Sequence, residues 1–195
     1  MAEFRRMANR EGVTMLVGSL REGSVNRAAA KEAAQHLGHD FTVHQPDLSE
    51  IPLFDQDLEH AGDPDSVLAL KGAVAESAIV ICFTPEYNYS TSGVLKNAID
   101  WLSRPFRSGS LIGRAVAIAS ATPGSKGGEN AREHLLQTCG VLTDRLYSVT
   151  LGIPNVTHLE GGALPDHAAD LIPPWLDGLM TFHRAVLDLT HPDQT

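Results

Sequence analysis

The chain has 195 residues and a formal net charge of −9, with 43% hydrophobic and 20% charged residues. That length fits one domain with a full hydrophobic core, and the composition is that of neither a disordered nor a fibrous protein. Cations do not cluster beyond the N-terminal FRRMANR, which argues against a nucleic-acid partner, because such a surface needs grouped Lys and Arg to displace counterions. Residues 1–12 lack the apolar core of a signal peptide, and no apolar stretch is long enough to span a bilayer. The expectation is a cytoplasmic protein without a membrane partner. Residues 1–12 read as a flexible start, 13–190 as a single domain and 191–195 as a tail.

The first element is VTMLVGS (13–19), an apolar run without charge, as in a strand buried on both faces of a parallel sheet. A helix follows from Ser24 to Gly38: Val25, Ala29, Ala33 and Leu37 recur every four residues, Ser24 is a natural N-cap and Gly38 a natural stop. DFTVHQP (40–46) alternates and reads as an edge strand. A second helix is expected from Pro64 to Glu76, before the charge-free strand SAIVICF (77–83). The third helix runs from Gly93 to about Arg104, where Pro105 stops it. AVAIASA (115–121) is the third buried strand, and a helix over Gly128–Val141 turns Ala131, Leu135, Leu136 and Cys139 to one side. A fifth strand lies in RLYSVTLGI (145–153). The last helix begins near Pro174 and carries Trp175, Leu179, Phe182 and Val186 inward. Cys82 and Cys139 both read as small core residues.

Strands alternating with helices predict a doubly wound α/β sheet with right-handed crossovers. Ligands bind such sheets at the carboxyl ends of the strands, so the loops after Ser19, Phe83 and Ala119 carry the functional expectation. The first, GSLREGSVNR (18–27), offers Ser19, Ser24, Asn26 and Arg21 beside a helix N-terminus, an arrangement suited to one phosphate monoester. It lacks GxGxxG and GK[ST], and alone it reads rather as a serine cap beside an exposed arginine. The second opens the stretch TPEYNYSTSGVLKNAIDWL (84–102). Its Tyr87 and Tyr89 either pack against the protein or meet a flat aromatic ligand, and Asn88 and Ser90 are turn residues. The third, SATPGSKGGENAREH (120–134), has Gly124, Gly127 and Gly128, which allow close backbone approach or make a flexible connector. Convergence of the three at one sheet edge favours a ligand site. The nine His residues are scattered without metal-ligand spacing, His134 and His158 reading as structural or solvated, and neither a nucleophile triad nor paired catalytic carboxylates stand out.

Together GSLREGSVNR, PEYNYSTSGVLKNAIDWLSR and SATPGSKGG resemble the NAD(P)H-dependent FMN reductase family of flavodoxin-like proteins, which includes chromate and quinone reductases and some azoreductases. The resemblance runs from about Val13 to Val141. It implies a flavodoxin-like three-layer sandwich: a five-stranded parallel sheet of order 2-1-3-4-5 with helices on both faces. It also implies bound FMN, NADPH or NADH as co-substrate, and hydride transfer to FMN followed by electron transfer to a small-molecule acceptor in ping-pong fashion. By that resemblance Ser19, Arg21, Ser24 and Asn26 would hold the FMN phosphate, with Val25 a further cofactor-binding position. Pro85, Glu86, Tyr87 and Asn88 would line the ribityl chain and one edge of the isoalloxazine. Ser120 and the Gly124 loop would approach the ring from the other side, and no side chain is required as a catalytic residue.

Lys96 and Asp100 would either support the second loop or form a surface pair. Many family members have a glycine and apolar PGGxGG third loop where this chain has PGSKGG, so Lys126 is either solvated or drawn to the extra phosphate of NADPH. A flavodoxin-type electron carrier is the competing reading, disfavoured by Arg21; a flavin-free interaction domain is a third. The resemblance further implies a homodimer or tetramer, in which Tyr89, Trp101 and Phe106 would face a partner or join the core. Quinone, chromate, azo dye, nitro compound and free flavin are all compatible acceptors.

Overall fold

The computed structural model describes residues 11–190; the segment 1–10 and the tail 191–195 lie outside the described residues. The three charge-free runs form the centre of a parallel sheet as β1 (Gly12–Val17), β3 (Ser77–Phe83) and β4 (Ala115–Ala121). Gly12, assigned from sequence to the loose start, is already in the ladder. The edge strand β2 (Thr42–His44) pairs with β1, and β5 (Arg145–Leu146) pairs with β4, giving the order β2-β1-β3-β4-β5. Register keeps the strand ends level: Val17 lies opposite Phe83, and Phe83 opposite Ala119. The loops that follow β1, β3 and β4 therefore emerge side by side.

The fifth strand is split. After Arg145–Leu146, Tyr147 still donates its N–H to Val116 O, but the chain then leaves the ladder and rejoins β4 as β6 (Leu151–Ile153) opposite Ala119–Ala121. In the gap the Val149 carbonyl accepts from Trp175 Nε1 at 2.8 Å, so a side chain replaces the missing ladder bond.

Two hydrophobic layers sandwich the sheet. On one face α1 (Val25–Leu37) and α7 (Ile172–Thr190) cover Val13, Met15, Ile79, Ile81, Phe83 and the odd-numbered alanines of β4. On the other, α3 (Asp65–Ala75), α4 (Gly93–Leu102) and α5 (Glu129–Cys139) cover Leu16, Val80, Cys82, Val116 and Ile118. Burial on both faces is why these strands show no alternation in sequence. Ser24 caps α1 by accepting from Arg27 N–H, and Ser92 caps α4 by accepting from Leu95 N–H. Gly38 does end α1, but in right-handed backbone with φ −63°, so its value is room: a Cβ there would meet Ala34 O at 2.9 Å.

Three short elements had no sequence signal: a 3-10 turn (Leu48–Glu50), α2 (Gln56–Ala61) and α6 (Asp166–Ala169). Each is too brief to show a period. The first two are set by Asp47 and Asp55, whose carboxylates accept from the N–H of Ser49 and Asp57. The Ser49 bonds hold the Asp47 carboxyl below its usual range, the backbone bond being the larger cause. Trp101 and Asn97 of α4 both donate to Pro52 O, fixing the preceding connection. Trp101 is thus core, whereas Tyr89 and Phe106 are exposed. Lys96 and Asp100 pair one helical turn apart with both side chains partly exposed, a contact worth about 0.3–0.5 kcal/mol. Among the described residues no helix is long and apolar enough to cross a membrane.

Cys82 and Cys139 are buried free thiols in the second core layer. Their mutual hydrogen bond, together with burial, pushes the Cys82 thiol well above its usual pKa. Neither thiol should react with iodoacetamide in the native protein at mildly alkaline pH, and both should react after denaturation. Rapid native alkylation would contradict this packing.

Candidate functional site

Ladder bonds continue past the strand ends and seat each loop. Gly18 N–H donates to Phe83 O at 2.8 Å, Thr84 N–H to Ala119 O at 2.9 Å, and Thr122 N–H to Ile153 O at 3.0 Å. The first loop lies so close to the second that a Cβ on Gly18 would come within 2.6 Å of Ser92 Oγ and 3.2 Å of Pro85 Cδ. Only glycine fits there. Polar residues that would ordinarily be exposed, among them Ser19, Ser24, Asn26, Thr84, Ser92 and Ser120, are buried at this edge.

In the first loop Ser24 N–H donates to Arg21 O at 3.1 Å, closing a turn that leads into α1. Ser24 Oγ accepts from Arg27 N–H and keeps its own proton for donation. With the free N–H groups of the first turn, this end of α1 presents donors and partial positive charge. Asn26 has another task. Its Nδ2 donates to Ala121 O and its Oδ1 accepts from Ala121 N–H, each at 2.9 Å, so the amide expected at a phosphate ties α1 to the end of β4.

The second loop is clamped at its base by Thr84 Oγ1, which bonds Thr91 Oγ1 and Pro85 O. At its tip Tyr87 and Ser90 exchange backbone hydrogen bonds across Asn88 and Tyr89, which have φ of 50° and 61°. Two left-handed non-glycine residues in succession form a tight primed turn, a conformation that costs free energy and concentrates at functional sites. Tyr87 and Tyr89 stand 51% and 76% exposed. His134 Nδ1 and Ser90 Oγ lie 3.0 Å apart, bracing the turn against α5. The carboxylate of Glu86 accepts from Ala131 N–H at 3.3 Å and Asn130 Nδ2 at 3.1 Å. Because Gly128 supplies no side-chain cap to α5, Glu86 caps that helix from another loop.

In the third loop Gly127 and Gly128 have φ of 56° and 68°, two successive left-handed residues, a backbone that glycine adopts without steric cost. Ser120 lies behind this wall: its fully buried hydroxyl has no hydrogen-bond partner among the described residues, and a Cβ on Gly128 would sit 2.1 Å from it. Lys126 Nζ pairs with Glu129 at 3.0 Å, which raises its pKa, while its side chain stays exposed.

The loops enclose an open cleft of about 480 Å³, within the roughly 300–1,000 Å³ range of small-molecule sites. Its lining includes Ser19, Arg21, Ser24, Val25 and Asn26 from the first loop, Pro85, Glu86 and Tyr87 from the second, and Gly124 from the third. Two of the expected residues are not brought there: Asn88 is carried out on the turn tip, and Ser120 is beneath Gly128. Ala121, Thr122, Pro123, Lys126 and Gly128 complete the wall. Of these, Lys126 and Gly128 stood out in sequence, whereas the rest carried no signal beyond following a buried strand. The cleft thus has a donor-rich end at α1, an aromatic lip and a glycine backbone wall. These features fit a phosphorylated, flat ligand such as FMN.

Comparison with known proteins agrees. The sequence model of the family described as NADPH-dependent FMN reductase matches residues 12–152. An NAD(P)H-dependent FMN reductase of Pseudomonas aeruginosa is 36% identical over 171 residues, covering 86% of this chain and 92% of its own length. A quinone reductase of Escherichia coli K12 is 39% identical over 133 residues, covering 67% of this chain and 70% of the relative. Among solved structures, the flavoenzyme NAD(P)H:(acceptor) oxidoreductase FerB of Paracoccus denitrificans superposes with a TM-score of 0.77 at 27% identity, covering 90% of this chain and 98% of the other. The chain belongs to the NADPH-dependent FMN reductase family, and its fold is flavodoxin-like.

Proposed function

We propose that the protein is an FMN-dependent NAD(P)H oxidoreductase that holds FMN in the cleft between the three loops and reduces a small acceptor of the quinone, chromate or azo type. The observation that carries the proposal is the joining, in one cleft, of a phosphate-suited helix N-terminus to an aromatic lip and a glycine wall. FMN would supply the redox chemistry, accepting hydride from NADPH or NADH and delivering electrons to the acceptor. The chain supplies binding and orientation. Ser19, Ser24 and the N–H groups at the start of α1 would hold the phosphate, with the Arg21 guanidinium adding charge from the surface. Pro85 and Tyr87 would wall one side of the ring and the Gly124–Gly128 backbone the other. The nearby carboxylates have structural partners, Glu86 in capping α5 and Glu129 in pairing with Lys126. A cytoplasmic setting stays part of the proposal, as does self-association through the exposed rim around Tyr89.

Anaerobic mixing of the FMN-loaded protein with NADPH, and separately NADH, tests the reading. The flavin band should bleach directly and return when a quinone is added. A protein that holds FMN but is bleached by neither nucleotide would instead be an electron carrier, and one that takes up no FMN would overturn the site. NADPH preference over NADH that survives Lys126→Ala would assign Lys126 to the solvated surface.

Arg21→Ala combined with Ser24→Ala should weaken FMN about tenfold or more, the scale of one charge-assisted hydrogen bond, while leaving riboflavin affinity nearly unchanged. Equal losses for the two ligands, measured by flavin fluorescence, would place the phosphate elsewhere. Asn26→Ala should lower stability by about 1–3 kcal/mol in urea unfolding, because it strands both backbone polar groups of the buried residue Ala121; an unchanged midpoint would deny the tie to β4. Sedimentation at micromolar protein should give at least a dimer, and a 20.9 kDa monomer would refute self-association.

A further inference from the structure

Arg132 lies in the first turn of α5, where the helix dipole disfavours a cation. Part of its side chain is buried, and desolvation lowers its pKa against the opposing influence of Glu129, Glu133 and Glu86. The guanidinium folds back over the third loop. Nε donates to Gly127 O at 3.0 Å, Nη2 to Lys126 O at 3.3 Å, and Nη1 to Thr150 Oγ1. The group also lies against Gly152 of β6, where a Cβ would come within 2.8 Å of Nη2. Gly127 in turn meets Gly152 so closely that its own Cβ would stand 2.7 Å from the Gly152 carbonyl carbon. Loop, strand and guanidinium interlock.

In a trans peptide the N–H points opposite to its carbonyl. With the Gly127 carbonyl held by Arg132, the Gly128 N–H is directed to the other side, and Gly128 lines the cleft. The neighbouring peptide is closed on itself, since Gly127 N–H reaches Gly124 O at 3.5 Å. We propose that Arg132 is a positioning residue of the cofactor site, turning the carbonyls of Lys126 and Gly127 outward so that the Gly128 N–H stays presented to the flavin ring. This rests on the FMN reading above. A lysine cannot reproduce the planar fork that serves two carbonyls and a hydroxyl together.

The test measures FMN and riboflavin affinities by fluorescence quenching in folded Arg132→Ala and Arg132→Lys proteins, with the visible circular dichroism of the bound flavin. Both substitutions should weaken both ligands by a similar factor, about tenfold or more, and change the visible dichroism. This differs from the phosphate-end variants, which spare riboflavin. Gly152→Ala, which displaces the guanidinium without removing its charge, should give the same pattern and serves if the Arg132 variants do not fold. Affinities within about twofold of the wild type, or full rescue by lysine, would overturn the role of Arg132. Failure of the wild-type protein to bind FMN would instead overturn the reading of the cleft.

Discussion

The geometry of the cleft depends on one side chain that need not touch a ligand. Asn26 bonds both polar groups of Ala121, across 95 residues of chain, and so fixes the N-terminus of α1 relative to the end of β4. A phosphate at α1 and a ring beside the third loop are parts of one rigid ligand, so their spacing must be held to a fraction of an ångström. A backbone-to-backbone tie is unavailable because β1 and β4 are separated by β3. An amide, which is donor and acceptor at once, closes that gap.

Further ties complete a triangle. Glu86 joins the second loop to the third by capping α5, and the close approach at Gly18 joins the first to the second. Arg132 and the paired glycines lock the third loop to β6. The cleft is therefore preformed: a ligand that fits it meets donors already aimed and loops already ordered, which lowers the entropic cost of binding. The strained turn at Asn88 and Tyr89 is tolerated because the loop below it is held by Thr84, Thr91 and Ser90.

Much of the fold was legible because it follows from burial. Strands covered on two faces lose their polar positions, so β1, β3 and β4 stand out as charge-free runs, and Ser24 marks the start of α1 directly. The split of the last strand was not legible, because the bond that compensates for it comes from Trp175, far along the chain. Within the site, residue type identified the neighbourhood better than the role. Asn26 and Glu86 are polar residues in the right loops, yet the structure spends their side chains on Ala121 and on α5. Asn88 is displaced by a turn whose handedness no local pattern announces, and Ser120 is set behind the wall by the pleat of β4. Arg132 gave no signal at all, since its three acceptors lie on a loop and a strand end that only the fold brings to it.

Hydrogen–deuterium exchange of the apoprotein with and without FMN tests the central claim most directly, because it locates the ligand without presuming its chemistry. FMN held by the three loops predicts simultaneous protection of the amides at the start of α1, in the Pro85–Ser90 segment and in the Gly124–Gly128 loop, with the opposite edge of the sheet unchanged. FMN binding that protects only one of these loops, or a different surface, would contradict the account.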